Sequence, residues 1–387
     1  MKIIPGFKAP GFILAAAFLA GLGFGTSASA QDGPYLLIDL NSKTVTDLGT
    51  LGATDSRAFG INNAGQVVGW SVPAGGTPRA FITGPNGTGT RDLGTLGGSY
   101  SLAFGINDAG QVVGGSSTTG GQFHAFITGP NGRGMTDLGV LPGSVWQSVG
   151  YAINNTGQVT GESTTADARG HAFITGPNGV GMTDLGTLPG ENSSMGKAIN
   201  DAGQVAGEGE AGRRAFITGP NGVGMTDLGA LDGTDRIEVN AINNAGYVAG
   251  NVTVKGAEGP FGPYTYHAFI AGPNGMGMTD LGTLGGSSYA YGINDAGQVV
   301  GESYTADGHP HAFITGPNGA GMTDLNSLVK LPVDHYLWTA SAINDQGQVL
   351  VRVGTVPEPE TYALLLTGLG LIGFIVRHKR REARKAN

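Results

Sequence analysis

From about residue 35 to residue 353 the chain is a succession of short segments in which apolar and polar positions alternate, broken by Gly-rich stops. One unit shows the pattern. Tyr289-Ala290-Tyr291-Gly292-Ile293-Asn294 reads as a strand, Asp295-Ala296-Gly297 as a tight turn, and Gln298-Val299-Val300-Gly301 as the returning strand. After a loop of varying length, His311-Ala312-Phe313-Ile314-Thr315 is a third strand and Met322-Thr323-Asp324-Leu325 a fourth. They are joined by Gly316-Pro317-Asn318-Gly319, and Asn-Gly between apolar runs is a strong hairpin signal.

The unit recurs. Its first isoleucine falls at Ile61, Ile106, Ile153, Ile199, Ile242, Ile293 and Ile343, in steps of 45, 47, 46, 43, 51 and 50 residues, a period typical of propeller blades or solenoid turns. The second hairpin tolerates no insertion: 13 residues separate Arg79 from Asp92, His124 from Asp137, His171 from Asp184, Arg214 from Asp227, His267 from Asp280 and His311 from Asp324. The loop before it varies, and is longest between Ile242 and His267. Four antiparallel strands per unit favour a propeller over a solenoid, and the chain ends favour closure. The last copy stops after its first hairpin, Ser341 to Val353, while Tyr35-Leu36-Leu37-Ile38 and Val45-Thr46-Asp47-Leu48 supply the missing half, again with 13 residues from Pro34 to Asp47. The expected fold is all-β, a seven-bladed propeller whose last blade takes strands from both termini, leaving no open sheet edge.

Composition agrees with a turn-dense β protein: 72 of 387 residues are Gly, and only 13% are charged. There is no Cys, so the fold is held without disulfides. Three regions follow. Residues 1–30 read as a secretory signal peptide, with Lys2 and Lys8, an apolar run from Phe12 to Phe24, and small residues Ala28 and Ala30 at the cleavage site. Residues 31–354 hold the repeats. Residues 355–387 carry Pro357-Glu358-Pro359, an apolar stretch from Tyr362 to Val376, and the basic residues Arg377, Lys379, Arg380 and Arg381. As a helix this stretch spans about 22 Å, short of the roughly 30 Å hydrocarbon core, and the basic cluster would stop transfer on the cytoplasmic side.

This order of motif, hydrophobic helix and basic tail resembles the PEP-CTERM sorting signal of Gram-negative bacteria that make exopolysaccharide. The resemblance implies export through the inner membrane, transient insertion through the C-terminal helix, an exosortase-type membrane protease as processing partner, and a destination at the cell surface or outside the cell. The His-Ala-Phe (HAF) phrase that opens the third strand, as at His311-Ala312-Phe313, in turn resembles the bacterial extracellular HAF repeat family, which implies location and repeat type and transfers no catalytic residues.

Separating the ends sharpens the charge. Of 21 Lys and Arg, two lie in residues 1–30 and six in 355–387, leaving 13; of 29 Asp and Glu, three lie in the tail, leaving 26. A body about 13 negative disfavours nucleic acid and anionic membrane as partners, and is compatible with glycans.

Candidate chemistry divides into what repeats and what does not. His124, His171, His267 and His311 recur once per blade, too far apart to share an ion, and Arg79 and Arg214 replace them twice, so they belong to the scaffold. The repeated Asp47, Asp92, Asp137, Asp184, Asp227, Asp280 and Asp324, each of which can accept backbone amides and tie one blade to the next, are also assigned to it. The Asn of each Ile-Asn pair suits a turn start. The Asp/Asn ladder of an EF-hand or RTX repeat is missing, so no metal and no cofactor is expected. Function is sought where the repeat breaks. Trp70, Trp146 and Trp338, with Tyr264 and Tyr266, sit in or beside variable loops and could stack on sugar rings. The reading is a non-catalytic exported module that binds or builds the exopolysaccharide matrix. The alternative is a secreted glycosidase or lyase, which requires non-repeating carboxylates converging at the channel.

Overall fold

The computed structural model describes residues 34–48, 55–229, 231, 234–259, 262–331 and 335–355. The expected signal segment with Ala28 and Ala30, the sorting motif Pro357 to Pro359, the hydrophobic helix and the basic cluster Arg377 to Arg381 lie outside the described residues. Among the described residues, no helix is long and apolar enough to cross a membrane.

Seven four-stranded antiparallel sheets form a ring. Blades 1 to 6 cover residues 55–92, 97–139, 148–184, 194–227, 234–280 and 285–324, each running in chain order from the innermost strand outward. Blade 7 is composite. His335–Ile343 is its innermost strand, followed by Gln348–Thr355, then Tyr35–Asp39 and Thr44–Asp47 from the other end of the chain. The junction is a full ladder, with Tyr35 opposite Arg352 and Asp39 opposite Gln348. The expected closure is therefore present.

Local sequence dictates the second hairpin of blades 1 to 6. Its Pro-Asn-Gly forms a single 3₁₀ turn in which Asn takes φ of 53–58° and the next Gly is also at positive φ. These are the two conformations that Asn and Gly adopt at least cost, and they reverse the chain with the twist that a hairpin requires. The apolar face then buries Phe81, Phe126, Phe173, Phe216, Phe269 and Phe313, one per blade, with Leu36 opposite Asp47 in the composite blade. Each ring burial contributes roughly 2–3 kcal/mol. The core lies between blades: Phe216 of blade 4 packs with Ala172 and Ile174 of blade 3.

Two closed rings of hydrogen bonds latch the blades around the channel. In the inner ring each Asn of the Ile-Asn pair donates its side-chain amide to the equivalent backbone carbonyl of the next blade: Asn62 to Asn107, on through Asn154, Asn200, Asn243, Asn294 and Asn344, and from Asn344 back to Asn62. The outer ring uses the next residue. Backbone amides of Asn63, Asp108, Asn155, Asp201, Asn244, Asp295 and Asp345 each donate to the side chain of the following member, and Asp345 returns to Asn63. The Ile-Asn pair is thus an interblade clasp as well as a turn start.

Candidate functional site: the bulge ring at the channel mouth

The innermost strand of every blade contains a β-bulge, and the extra residue is the one two before the repeat isoleucine: Phe59, Phe104, Tyr151, Lys197, Asn240, Tyr291 or Ser341. A bulge re-aims a side chain out of the ladder. Here all seven line one cavity of about 220 Å³ at one end of the channel. The facing strand explains how the bulge fits. In blades 1 to 6 a Gly stands opposite, and a Cβ on Gly69, Gly114, Gly161, Gly207, Gly250 or Gly301 would lie only 1.8–2.1 Å from the carbonyl oxygen of the innermost strand. Blade 7 carries Val351 there and has a further register shift that skips Trp338.

The ring is chemically two-sided. Phe59 and Phe104 lie 5.5 Å apart and Phe104 and Tyr151 5.6 Å apart, tilted, and Lys197 ends this arc with its Nζ 5.4 Å from the centre of the Tyr151 ring. Such aromatic contacts and a cation over a ring face are each attractive by about 1 kcal/mol. The rest of the circle is Asn240, Tyr291 and Ser341. At the repeat isoleucines the cavity meets a second one, of about 160 Å³, lined by the Asn/Asp rings at the other end.

Glu162, Glu208 and Glu302 share one position of the repeat, which reads Trp70, Gly115, Asn251 and Arg352 in the other blades, and they lie beside the mouth residues Tyr151, Lys197 and Tyr291. Burial pushes Glu162 upward from the ordinary carboxylate range, with Lys197 opposing the shift. Burial likewise raises Glu208, against Lys197 and the hydrogen bond that its Oε1 accepts from the Val239 amide at 2.9 Å. Glu302 is raised by burial and accepts from the Tyr291 hydroxyl, while Tyr291 itself is held far above the usual phenol range by burial and by Glu302. The Tyr151 hydroxyl is pushed up to about 12, first by burial and then by Glu162 and Glu208. The tyrosines are therefore hydrogen-bond donors at any physiological pH. Part of this cluster also serves the fold, since Asn251, in the position of Glu208, accepts the equivalent amide of Ala290 at 2.7 Å.

The structure brings together the repeated residues that the sequence presents separately. His124, His171, His267 and His311 bind Asp137, Asp184, Asp280 and Asp324 through Nδ1 at 2.6–3.0 Å. Arg79 and Arg214 make the same pair with Asp92 and Asp227, which explains the substitution. The Asp carboxylates accept an amide two residues on, as Asp184 does from Gly186 at 2.7 Å, so they fix the exit of their own blade, and the blade-to-blade tie expected of them is made by the asparagines instead. Trp70 and Trp338 lie in strands, with the Arg57 guanidinium 5.8 Å from one ring centre and that of Arg352 4.8 Å from the other. Trp146 is 60% exposed on a loop. Tyr264 and Tyr266 are in the third strand of blade 5 and line a separate cleft. No three His, Asp or Glu among the described residues are grouped to hold a metal ion.

The bulge ring is a column of the repeat: a position preceded by Ala, Gly or Val and followed by Gly or Ala reads Phe, Phe, Tyr, Lys, Asn, Tyr, Ser. It lies within a strand, outside the variable loops.

Residues 355–381 match the PEP-CTERM protein-sorting motif. Motifs of this kind are recognised by exosortase and direct export to the cell surface or the medium of Gram-negative bacteria. No curated protein matches the chain. Among solved structures, an oligogalacturonate lyase from Vibrio parahaemolyticus is 11% identical, over 84% of this chain and 99% of its own, at a TM-score of 0.50. An oligogalacturonate lyase in complex with manganese is also 11% identical, over 85% and 99%, at 0.50. A prolyl endopeptidase is 10% identical, over 82% of this chain and 46% of its own, at 0.53. At such identities the likeness is one of fold.

Proposed function

We propose that this chain is a non-catalytic module of the cell surface that binds sugar units of an extracellular polysaccharide in the channel mouth. The observation that carries the reading is the two-sided bulge ring. A pyranose has an apolar face and a polar rim; the arc Phe59, Phe104, Tyr151 suits the first, and Lys197, Asn240, Tyr291 and Ser341 suit the second. The immediate neighbours of the bulge residue stay small or apolar, Ala, Gly or Val before it and Gly or Ala after it, whereas the bulge position ranges over Phe, Tyr, Lys, Asn and Ser, the variety expected of side chains that meet a ligand. The sorting tail, with exosortase as the processing partner, the resemblance of the repeats to extracellular HAF proteins and the acidic body support the setting.

A glycan array probed with the purified protein tests it. The expected result is retention of one glycan class, with affinity lowered about thirtyfold in the double variant Phe104→Ala/Tyr151→Ala, each ring contributing about 1 kcal/mol. Binding that ignores this variant would sink the proposal.

A second reading, a carbohydrate-active enzyme, draws on the half-buried Glu162 and Glu208, both raised by burial and both opposed by Lys197, because glycoside cleavage uses a pair of carboxyl groups of which the general acid is raised. Release of reducing ends from the bound glycan, abolished by Glu162→Gln or Glu208→Gln, would establish it in place of the first.

A further inference from the structure

Between blades 4 and 5, away from the channel axis, Arg213, Arg236, Thr253, Tyr264 and Tyr266 line a cleft of about 610 Å³. Three of them form one cross-strand row: Arg236 faces Thr253, which faces Tyr266, so their side chains emerge on the same face of the sheet. Arg213 enters from blade 4, just after the short turn Glu210–Gly212. Its neighbour Arg214 occupies the HAF position and pairs with Asp227. Arg213 and Arg236 are exposed, and among the described residues neither is in an ion pair. In a body about 13 negative, two guanidinium groups left available on one cleft are an exception. Guanidinium is the side chain that matches a carboxylate fork to fork.

The cleft is also joined to the channel mouth. Tyr266 stacks on Tyr289 with ring centres 5.0 Å apart, and Tyr289 on Tyr291 at 6.5 Å with planes only 6° apart. Tyr291 is a member of the bulge ring. Burial holds the hydroxyls of Tyr289 and Tyr291 protonated, so the ladder offers a line of donors and acceptors from the blade face to the mouth.

From this arrangement we infer that the cleft and ladder are an extended track for a linear polysaccharide carrying carboxylate groups, a uronic-acid polymer. Arg213 and Arg236 anchor its carboxylates, Tyr264, which is 45% exposed, stacks on a sugar face, and the chain runs along the tyrosines to the mouth. The track's inner end rests on the reading of the mouth given above; the arginine anchor does not.

The test is calorimetric titration of the full-length protein with oligomers of galacturonate and of mannuronate, four and ten residues long, and with galactose and mannose oligomers of the same lengths. Uronate decamers are expected to bind best, with affinity falling as salt is raised. The double variant Arg213→Gln/Arg236→Gln is expected to lose about tenfold or more on uronates, as for lost charge-assisted bonds, and nothing on the neutral oligomers. Both side chains are exposed, so an unchanged unfolding midpoint is expected for the variant, and Lys at both positions recovers the affinity only in part because it lacks the fork. Uronates that bind no better than neutral sugars, or an Arg variant indistinguishable from the parent, overturn the inference while leaving the mouth reading intact. Loss on Arg substitution without any effect of Tyr289→Ala keeps the anchor and overturns the track.

Discussion

At the scale of single residues, the repeat separates duty by environment. The His–Asp pair is a surface latch, and its two Arg versions show which part is essential: a donor facing the carboxylate. His171→Arg should therefore leave stability within about 0.5 kcal/mol, and His171→Ala should cost about 0.5–1 kcal/mol, the range for exposed pairs. Asp184→Ala should cost more than either, because it also strips the acceptor from the Gly186 amide at the exit of the blade. Urea unfolding of the three variants checks the order. Glu302 obeys a different rule. Burial raises it, so the folded state favours its neutral form and binds a proton more tightly than the unfolded chain. Its contribution to stability is then largest below the ordinary Glu value of about 4.3 and declines as pH rises through the raised folded value. Glu302→Gln removes the ionisation and keeps an acceptor for Tyr291. Unfolding midpoints of the variant and parent should coincide near pH 4 and separate by pH 8, with the variant the more stable. A variant less stable at pH 8 would show that the charged carboxylate is needed there.

At the scale of the element, the bulge is the feature that turns a repeated strand into a site. In blades 1 to 6 it is accommodated by a Gly across the ladder. A Cβ on Gly161 would meet the Val149 carbonyl oxygen at 1.9 Å, which no rotamer can relieve, so Gly161→Ala should cost more than about 3 kcal/mol or prevent blade 3 from pairing. Gly181 has positive φ and open space around it, and Gly181→Ala should cost only about 1 kcal/mol. The comparison, read by chemical denaturation, separates close approach from backbone strain. The same distinction governs what could be read from the sequence. Strand order, the Pro-Asn-Gly turn and the composite blade follow from alternation and spacing, which are local and periodic. The bulge does not, because a skipped register leaves no mark in the alternation of one strand and becomes evident only when its partner is laid against it. The mouth residues Tyr151 and Lys197 were therefore visible as variation but not as neighbours. For the same reason the cleft tyrosines, Tyr264 and Tyr266, could be singled out as aromatic while the arginines beside them could not.

At the scale of the whole molecule, the number of blades has a chemical consequence. In the outer latch each Asn side chain bridges two flanking carboxylates: Asn63 reaches Asp108 and Asp345, Asn155 reaches Asp108 and Asp201, and Asn244 reaches Asp201 and Asp295. Amide and carboxylate alternate, and an odd ring cannot alternate throughout. The mismatch falls between Asp295 and Asp345, where two carboxylates are neighbours and only the Asp295 backbone amide links them, at 2.8 Å. This is also where the ring closes, since Asp345 belongs to the composite blade and returns its amide to Asn63, 282 positions earlier in the chain. Asp345→Asn would move the mismatch one place on, to the contact with Asn63, where two side-chain amides would then adjoin. It keeps an oxygen for the Asp295 amide and exchanges a like-charge contact for one between two amides, at the loss of the bond that the second carboxylate oxygen accepts from Asn63. Like charges side by side are unfavourable at low ionic strength, so the variant should unfold at higher temperature than the parent in dilute buffer. The gain should shrink in about 1 M salt, where the screening length falls to about 3 Å. A lower midpoint at all salt concentrations would mean that the bond to Asn63 outweighs the repulsion, and that the seam of the propeller is held by its extra charge.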